Sequence, residues 1–212
     1  MICQSKKPTI MLEIKDVSFS YLQQNIPVIN NFSGDYAAGE SILVVGDNGT
    51  GKSTLGKIIC GIINPQKGMV SVDNQSLSKL APKKRIHIAY YINQINQLQF
   101  LNSSLTAEIR SFEKLSGRSF SQVTYNSFFL PPNLDYNPFE LSVNQAWRFS
   151  LFLSTIINPK VLFVDEIPSP TNERNRSVLK ELLESRGRDK RVTFFSYQRK
   201  IDLIFDKVIY IK

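Results

Sequence analysis

The sequence predicts an α/β fold: a mostly parallel sheet, an antiparallel β part near the N-terminus and an inserted helical subdomain. Three observations predict it. An apolar run, Ile42-Leu43-Val44-Val45, feeds a glycine-rich loop that opens into a helical pattern from Leu55 to Ile63. Strand-like and helix-like segments then alternate, which is the pattern of a parallel sheet covered by helices. Between them, residues 99–157 change character and read as helices broken by proline-rich loops.

Taken in order, Met11 to Tyr21 alternates apolar and polar residues, with Leu12, Ile14, Val17 and Phe19 spaced for a strand or hairpin. Phe32 to Tyr36 is a further short strand, and Ala38-Gly39-Glu40 turns the chain into the run at Ile42. Asn64-Pro65-Gln66-Lys67-Gly68 is a turn before a strand at Met69–Val72, and another strand is expected around Ile86–Ile92. Thr106–Leu115 and Ser142–Ile157 have helical patterns, the second with Trp147, Leu151 and Ile156 among its apolar positions. Val161–Val164 suits a buried parallel strand. Arg174–Glu184 is an amphipathic helix, and Val192–Phe195 and Lys207–Ile211 are the last two strands.

Composition narrows the classes. A chain of 212 residues with 42% hydrophobic residues builds one core, and the most apolar stretch, Phe149–Ile157, is broken by Ser150, Ser154 and Thr155. It is far shorter than the ~20 residues that span a bilayer. The start, Met1 to Pro8, lacks the apolar centre of a signal peptide. Two cysteines, Cys3 and Cys60, build no disulfide framework, which fits a reducing cytosol. The net charge of +8 includes Lys83-Lys84-Arg85 and the run Arg186–Arg191. Neither is interleaved with aromatic residues and no reader motif accompanies them, so nucleic acid is disfavoured as a partner.

The chemistry concentrates in Gly46-Asp47-Asn48-Gly49-Thr50-Gly51-Lys52-Ser53-Thr54. Strand, glycine-rich loop and helix in this order make a phosphate-binding P-loop. Gly49 and Gly51 let successive N–H groups turn into one concavity, and the helix that follows adds its positive dipole end. Lys52 is expected on the β- and γ-phosphates and Ser53 on Mg²⁺. The fold is therefore expected to be a P-loop NTPase core. Far downstream, Asp165-Glu166 closes the apolar strand Val161–Val164. Asp165 is expected to hold the hydrated Mg²⁺ and Glu166 to polarise the water that attacks the γ-phosphate.

The order of these motifs resembles the nucleotide-binding domain of the ATP-binding cassette (ABC) transporter family, over nearly the whole chain. The resemblance places Tyr21 as the aromatic that stacks on adenine. Gln94 matches the glutamine that reaches Mg²⁺ and opens the helical subdomain. Leu141-Ser142-Val143-Asn144-Gln145 stands in the place of the signature, Leu-Ser-Gly-Gly-Gln in the family, with Ser142 as a nucleotide contact and Arg148 as the arginine that follows. Gln94, Gln99-Phe100 and Ser104 through Phe112 are similar to the energy-coupling-factor branch, while Arg148-Phe149-Ser150 is similar to polysaccharide exporters.

Three positions depart from the family pattern. Val143 and Asn144 replace the signature glycines, and Ser142-x-x-Gln145 equally fits a helix capping box. Ser196-Tyr197-Gln198 stands where the family has a switch histidine, and Tyr197 is expected there as a hydrogen-bond donor without imidazolium charge. The only histidine, His87, is expected to be structural. After Glu166 the chain runs Ile167-Pro168-Ser169-Pro170-Thr171-Asn172, ending in Asn where the family has Asp.

The resemblance implies an ATP- and Mg²⁺-dependent ATPase subunit that energises a membrane transporter from the inner, cytoplasmic face of the membrane. It implies two partners: a transmembrane subunit docked near Gln94–Leu101, and a second ABC ATPase chain in a homo- or heterodimer. The alternative is a regulatory ATP-binding module that closes a dimer with little turnover. Residues 1–98 and 158–212 are expected to form the nucleotide-binding core, with 99–157 as the helical subdomain.

Overall fold

Alternation of side chains along each strand organises the core. The computed structural model describes residues 10–22, 26–169, 171–201 and 203–212. Met1–Pro8 with Cys3, and Pro170 of the loop after Glu166, lie outside the described residues. In chain order the elements are β1 Ile10–Phe19, β2 Ile29–Ala37, β3 Ser41–Val45, α1 Lys52–Ile59, β4 Lys67–Val72, β5 Gln75–Ser76 and α2 Pro82–Arg85. Then follow β6 Ala89–Ile92, α3 Leu105–Ser116, α4 Gln122–Ser127, α5 Val143–Ile157, β7 Val161–Val164, α6 Glu173–Arg188, β8 Val192–Tyr197 and β9 Lys207–Tyr210.

Two sheets form. β2-β1-β4-β5 is antiparallel, and β6-β7-β8-β3-β9 is parallel throughout. On β3, Ile42 and Val44 face one apolar cluster and Leu43 and Val45 the other; Phe194 and Phe195 of β8 divide in the same way. That is the period-2 pattern of a strand covered on both faces. One cluster joins the parallel sheet to α1 and the antiparallel sheet, where Leu12 and Ile14 pair with Val72 and Val70. The other joins it to the helices that follow β6, and α5 is its centre. Trp147, Phe149, Leu151 and Phe152 of α5 are all 0% exposed, each worth about 1.5–3 kcal/mol on burial.

Local chemistry shifts several boundaries. α1 stops at Ile59 instead of Ile63, because Gly61 takes φ 67 just past the end, the left-handed stop that glycine adopts at least cost. The strand expected around Ile86–Ile92 starts only at Ala89. Pro82 opens the short α2, which carries Lys83, Lys84 and Arg85, and His87 lies in the turn after it rather than on a strand. Arg186 belongs to no basic surface: it is buried and donates to Thr193 Oγ1 and to the carbonyls of Pro159 and Val192. Among the described residues, no helix is long and apolar enough to cross a membrane.

Candidate active site

The sheet order lines up the carboxyl ends of β3, β8, β7 and β6, the edge at which open parallel sheets bind ligands. Four chain segments therefore meet there: the P-loop after β3, Ser196 to Gln198 at the end of β8, Asp165-Glu166 after β7, and Gln94 after β6.

The P-loop supplies a cationic cradle. Gly51, at φ 100, is the N-cap of α1, and no side chain caps that helix start. Its first-turn N–H groups and dipole end remain directed at the loop. Gly56, one turn in, lets α1 lie close on the sheet, since a Cβ there would stand 2.5 Å from the Phe163 ring. Lys52 is 8% exposed, and its Nζ donates to the carbonyls of Gly46 and Asp47, each at 2.7 Å. Two of its three N–H groups are thus held by the loop and the ammonium is fixed in place. Thr50 closes the turn by donating its hydroxyl to Asp47 O at 3.0 Å. Tyr21 leans on the same helix: its hydroxyl lies 3.1 Å from Thr54 Oγ1, its ring meets Phe19 edge-on, and it is 42% exposed.

The acidic pair is held by donors on either side. Asp165 is 4% exposed. Its Oδ2 accepts from the Tyr91 hydroxyl at 2.6 Å and its Oδ1 from Ser196 Oγ at 2.7 Å. Burial and the adjacent Asp165 charge push the Tyr91 phenol well above its ordinary range, so it remains a donor, while the nearby Ser53 side chain acts on it in the opposite sense. Tyr91 therefore stands between the Ser53 and Asp165 side chains. One carboxylate and one hydroxyl so placed fit a Mg²⁺ ion, which keeps several waters and takes its other ligands from phosphate.

Glu166 takes φ 66, a costly conformation for a residue with a β-carbon. Its N–H is anchored to Ser196 Oγ at 2.9 Å. Its carboxylate accepts from Gln94 Nε2 on Oε2 and from Gln198 Nε2, at 3.5 Å, on Oε1. Gln198 Nε2 also donates to Asn48 Oδ1 of the P-loop at 3.2 Å. Tyr197 takes another course. Ser196 near the end of β8 and Gln198 just past it both bond to the acidic pair, whereas Tyr197 between them is partly buried against the cluster around α5.

Ser142 is the N-cap of α5. It completes the capping box with Gln145, whose Oε1 accepts the Ser142 N–H at 3.0 Å while Ser142 Oγ accepts from Gln145 N at 3.4 Å. Among the described residues, Ser142 makes no hydrogen bond to the P-loop of its own chain. Val143 is 61% exposed and lines a cleft of about 330 Å³ with Gln94, Ile95, Gln97, Glu166 and Pro168. Asn144 Oδ1 accepts from Asn175 Nδ2 at 2.8 Å. Asn172 caps α6 by accepting from Asn175 N at 3.1 Å.

Sequence reasoning missed Tyr91, Ser196, Gln198 and Asn175. Strand alternation carried a signal for the β8 pair: once Ser196 faces the acidic pair, so does the residue two further on. Nothing in the sequence pattern marked Tyr91 or Asn175.

The chain is similar to known proteins over most of its length. The family described as ABC transporter matches residues 29–171. A tyrosine transport ATP-binding protein of Clostridioides difficile is 31% identical over 201 residues, covering 86% of this chain and 80% of that protein. An energy-coupling factor transporter ATP-binding protein of Mesomycoplasma hyopneumoniae is 29% identical, covering 94% and 76%. A lipoprotein-releasing system ATP-binding protein of Wigglesworthia glossinidia brevipalpis is 26% identical, covering 96% and 94%. Among solved structures, a dimeric ATP-binding cassette in a post-hydrolysis state with ADP and Pi superposes with TM-score 0.77 at 20% identity, covering 95% of this chain and 94% of that one. A Clostridium perfringens protein, part of an ABC transporter complex, does so with TM-score 0.75 at 20% identity, covering 96% and 85%.

Proposed function

This chain belongs to the ABC transporter family as an ATP-binding, ATP-hydrolysing subunit, and on that premise we propose how its residues carry the reaction. The observation that carries the proposal is the Glu166 carboxylate held between two amides beside the buried Asp165 and the fixed Lys52. The triphosphate lies along Gly46 to Thr54, with Lys52 on its β- and γ-phosphates and the exposed face of Tyr21 under the adenine. Ser53, Asp165 and Gln94 would hold Mg²⁺, which would supply positive charge against the phosphates. Glu166 orients the attacking water and draws on its proton.

The work of hydrolysis is delivered to a separate transmembrane subunit, docked on the inner face of the membrane. Ile95, Leu98 and Leu101, which are 56%, 69% and 87% exposed, support that docking surface. A second ABC ATPase chain completes the nucleotide site across a dimer, with Ser142 facing the partner's phosphates; residues 99–157 form the helical subdomain and 1–98 with 158–212 the core. Relatives named as transporter ATP-binding subunits favour this reading over a regulatory module with little turnover.

Lys52→Ala in the full chain is the test. MgATP affinity by titration should be lost while circular dichroism keeps the wild-type spectrum. Unchanged affinity would sink the P-loop assignment. Mixing the wild-type chain with candidate membrane subunits should raise its ATPase rate.

A further inference from the structure

We propose that the switch position of this chain has moved one residue along, from Tyr197 at the end of β8 to Gln198 just past it, so that Gln198, not Tyr197, positions Glu166 against the P-loop. The proposal rests on the hydrolytic reading above and deepens it.

The argument starts from strand geometry. Side chains on a strand alternate between faces, and Ser196 is committed to the acidic pair by its bonds to Asp165 Oδ1 and to the Glu166 N–H. Tyr197 therefore turns away and packs against the apolar cluster. Gln198 returns to the site face. Its single amide nitrogen carries two hydrogens and reaches Asn48 Oδ1 and Glu166 Oε1 together. Among the described residues, no other side chain bridges the P-loop to Glu166 by hydrogen bonds.

The chemistry suits the task. Glu166 has one oxygen on Gln94 and the other on Gln198, so its rotamer is fixed from both sides. Both donors are uncharged. They orient the carboxylate while leaving its full negative charge to draw on the water, whereas a cation in the same place would cancel part of it. Gln198 acts through Glu166 and is a positioning residue.

The test is single-turnover hydrolysis of γ-labelled MgATP by the full chain in excess, with protein concentration varied to separate the saturating rate from half-saturation. Gln198→Met keeps length and removes both donors. Gln198→Glu keeps shape and sets a second carboxylate against Glu166. The saturating rate should fall about 10–100-fold in Gln198→Met, since loss of a donor at the transition state itself typically costs ~10²–10³. It should fall further in Gln198→Glu, with half-saturation within about twofold of wild type in both. Tyr197→Phe should retain the wild-type rate. Melting curves identify any variant that fails to fold, and then Gln198→Asn, which withdraws the amide by one methylene, replaces it and should lose rate in the same sense.

The inference is overturned if both Gln198 variants match wild type, if Tyr197→Phe loses as much as Gln198→Met, or if Gln198→Met and Gln198→Glu lose equally. Bound MgATP with no wild-type turnover would overturn the hydrolytic reading on which the inference rests, a result distinct from Gln198 variants that match an active wild type. Failure of the wild-type chain to bind MgATP would overturn the underlying functional reading instead.

Discussion

Tyr91→Phe removes one oxygen from the site and tests how much of its order rests on the buried acid. The ring is held independently of the hydroxyl: it stacks on Phe163 with centroids 5.8 Å apart and planes inclined by 22°. The variant should therefore keep its packing and lose the 2.6 Å bond to Asp165 Oδ2. A hydrogen bond to a charged group contributes about 1.5–3 kcal/mol, and a buried charge that loses a donor pays its full desolvation cost. Without nucleotide, unfolding free energy should drop by that amount. For a domain of this size the melting midpoint should fall by roughly 3–12 °C. On the proposed reading, saturating MgATP should narrow the gap, because a cation held beside Asp165 would replace the lost donor with a stronger partner. Urea and thermal unfolding, each with and without MgATP, measure both quantities. Midpoints that coincide without nucleotide, within about 0.5 kcal/mol, would refute the claim that the phenol holds Asp165.

Two more substitutions follow from neighbouring contacts. Tyr21→Ala should weaken ATP binding about tenfold or more, in line with ~1–3 kcal/mol for stacking a base on an aromatic ring. Tyr21→Phe and Tyr21→Trp should lose far less, because only the half-exposed bond to Thr54 disappears; equal losses in a nucleotide titration would assign the hydroxyl a structural role instead. Asn144→Gly removes the acceptor for Asn175 Nδ2 and should lower unfolding free energy by about 0.5–1.5 kcal/mol. Asn144→Asp keeps an acceptor at a helix N-terminus and should recover most of it in the same urea titration; no recovery would show that the amide contact carries no stability.

Most of the fold was legible because it is written in periodicity and punctuation. Ile42–Val45 before the glycine loop, Val161–Val164 before Asp165-Glu166, and Ser142-x-x-Gln145 before an apolar run each specify an element by local rules alone. What remained hidden was tertiary. Gln122–Ser127 is too short and too polar to stand out as a helix, yet Tyr125 is 0% exposed within it. The family pattern directed attention to Tyr197, while strand alternation, fixed only once Ser196 meets Asp165, brings Gln198 to the site. Tyr91 lies 74 positions from Asp165, and only the adjacency of β6 and β7 makes them neighbours. Arg186 read as part of a basic run, and the fold buries it among carbonyls.

Asn144, at a position where the family resemblance leads one to expect glycine, has a structural use of its own. Asn175 is 0% exposed. Its amide nitrogen donates to Asn144 at the start of α5 and to Pro168 O at 2.7 Å in the segment just past Glu166. Its oxygen accepts from Arg148 Nη1 at 2.9 Å. Arg148 is itself buried, which lowers its proton affinity, and donates to the carbonyls of Phe128 and Phe129. A glycine at 144 would leave Asn175 tied to the Pro168 loop and to Arg148 but not to the α5 N-terminus. With asparagine there, the first turn of α5, the start of α6 and the loop after Glu166 share one hydrogen-bonded centre. A buried network of this kind resists partial disruption, since each broken bond strands a polar atom away from water. Asn144 therefore ties the N-terminus of α5, through Asn175, to the carbonyl of Pro168, two residues beyond Glu166.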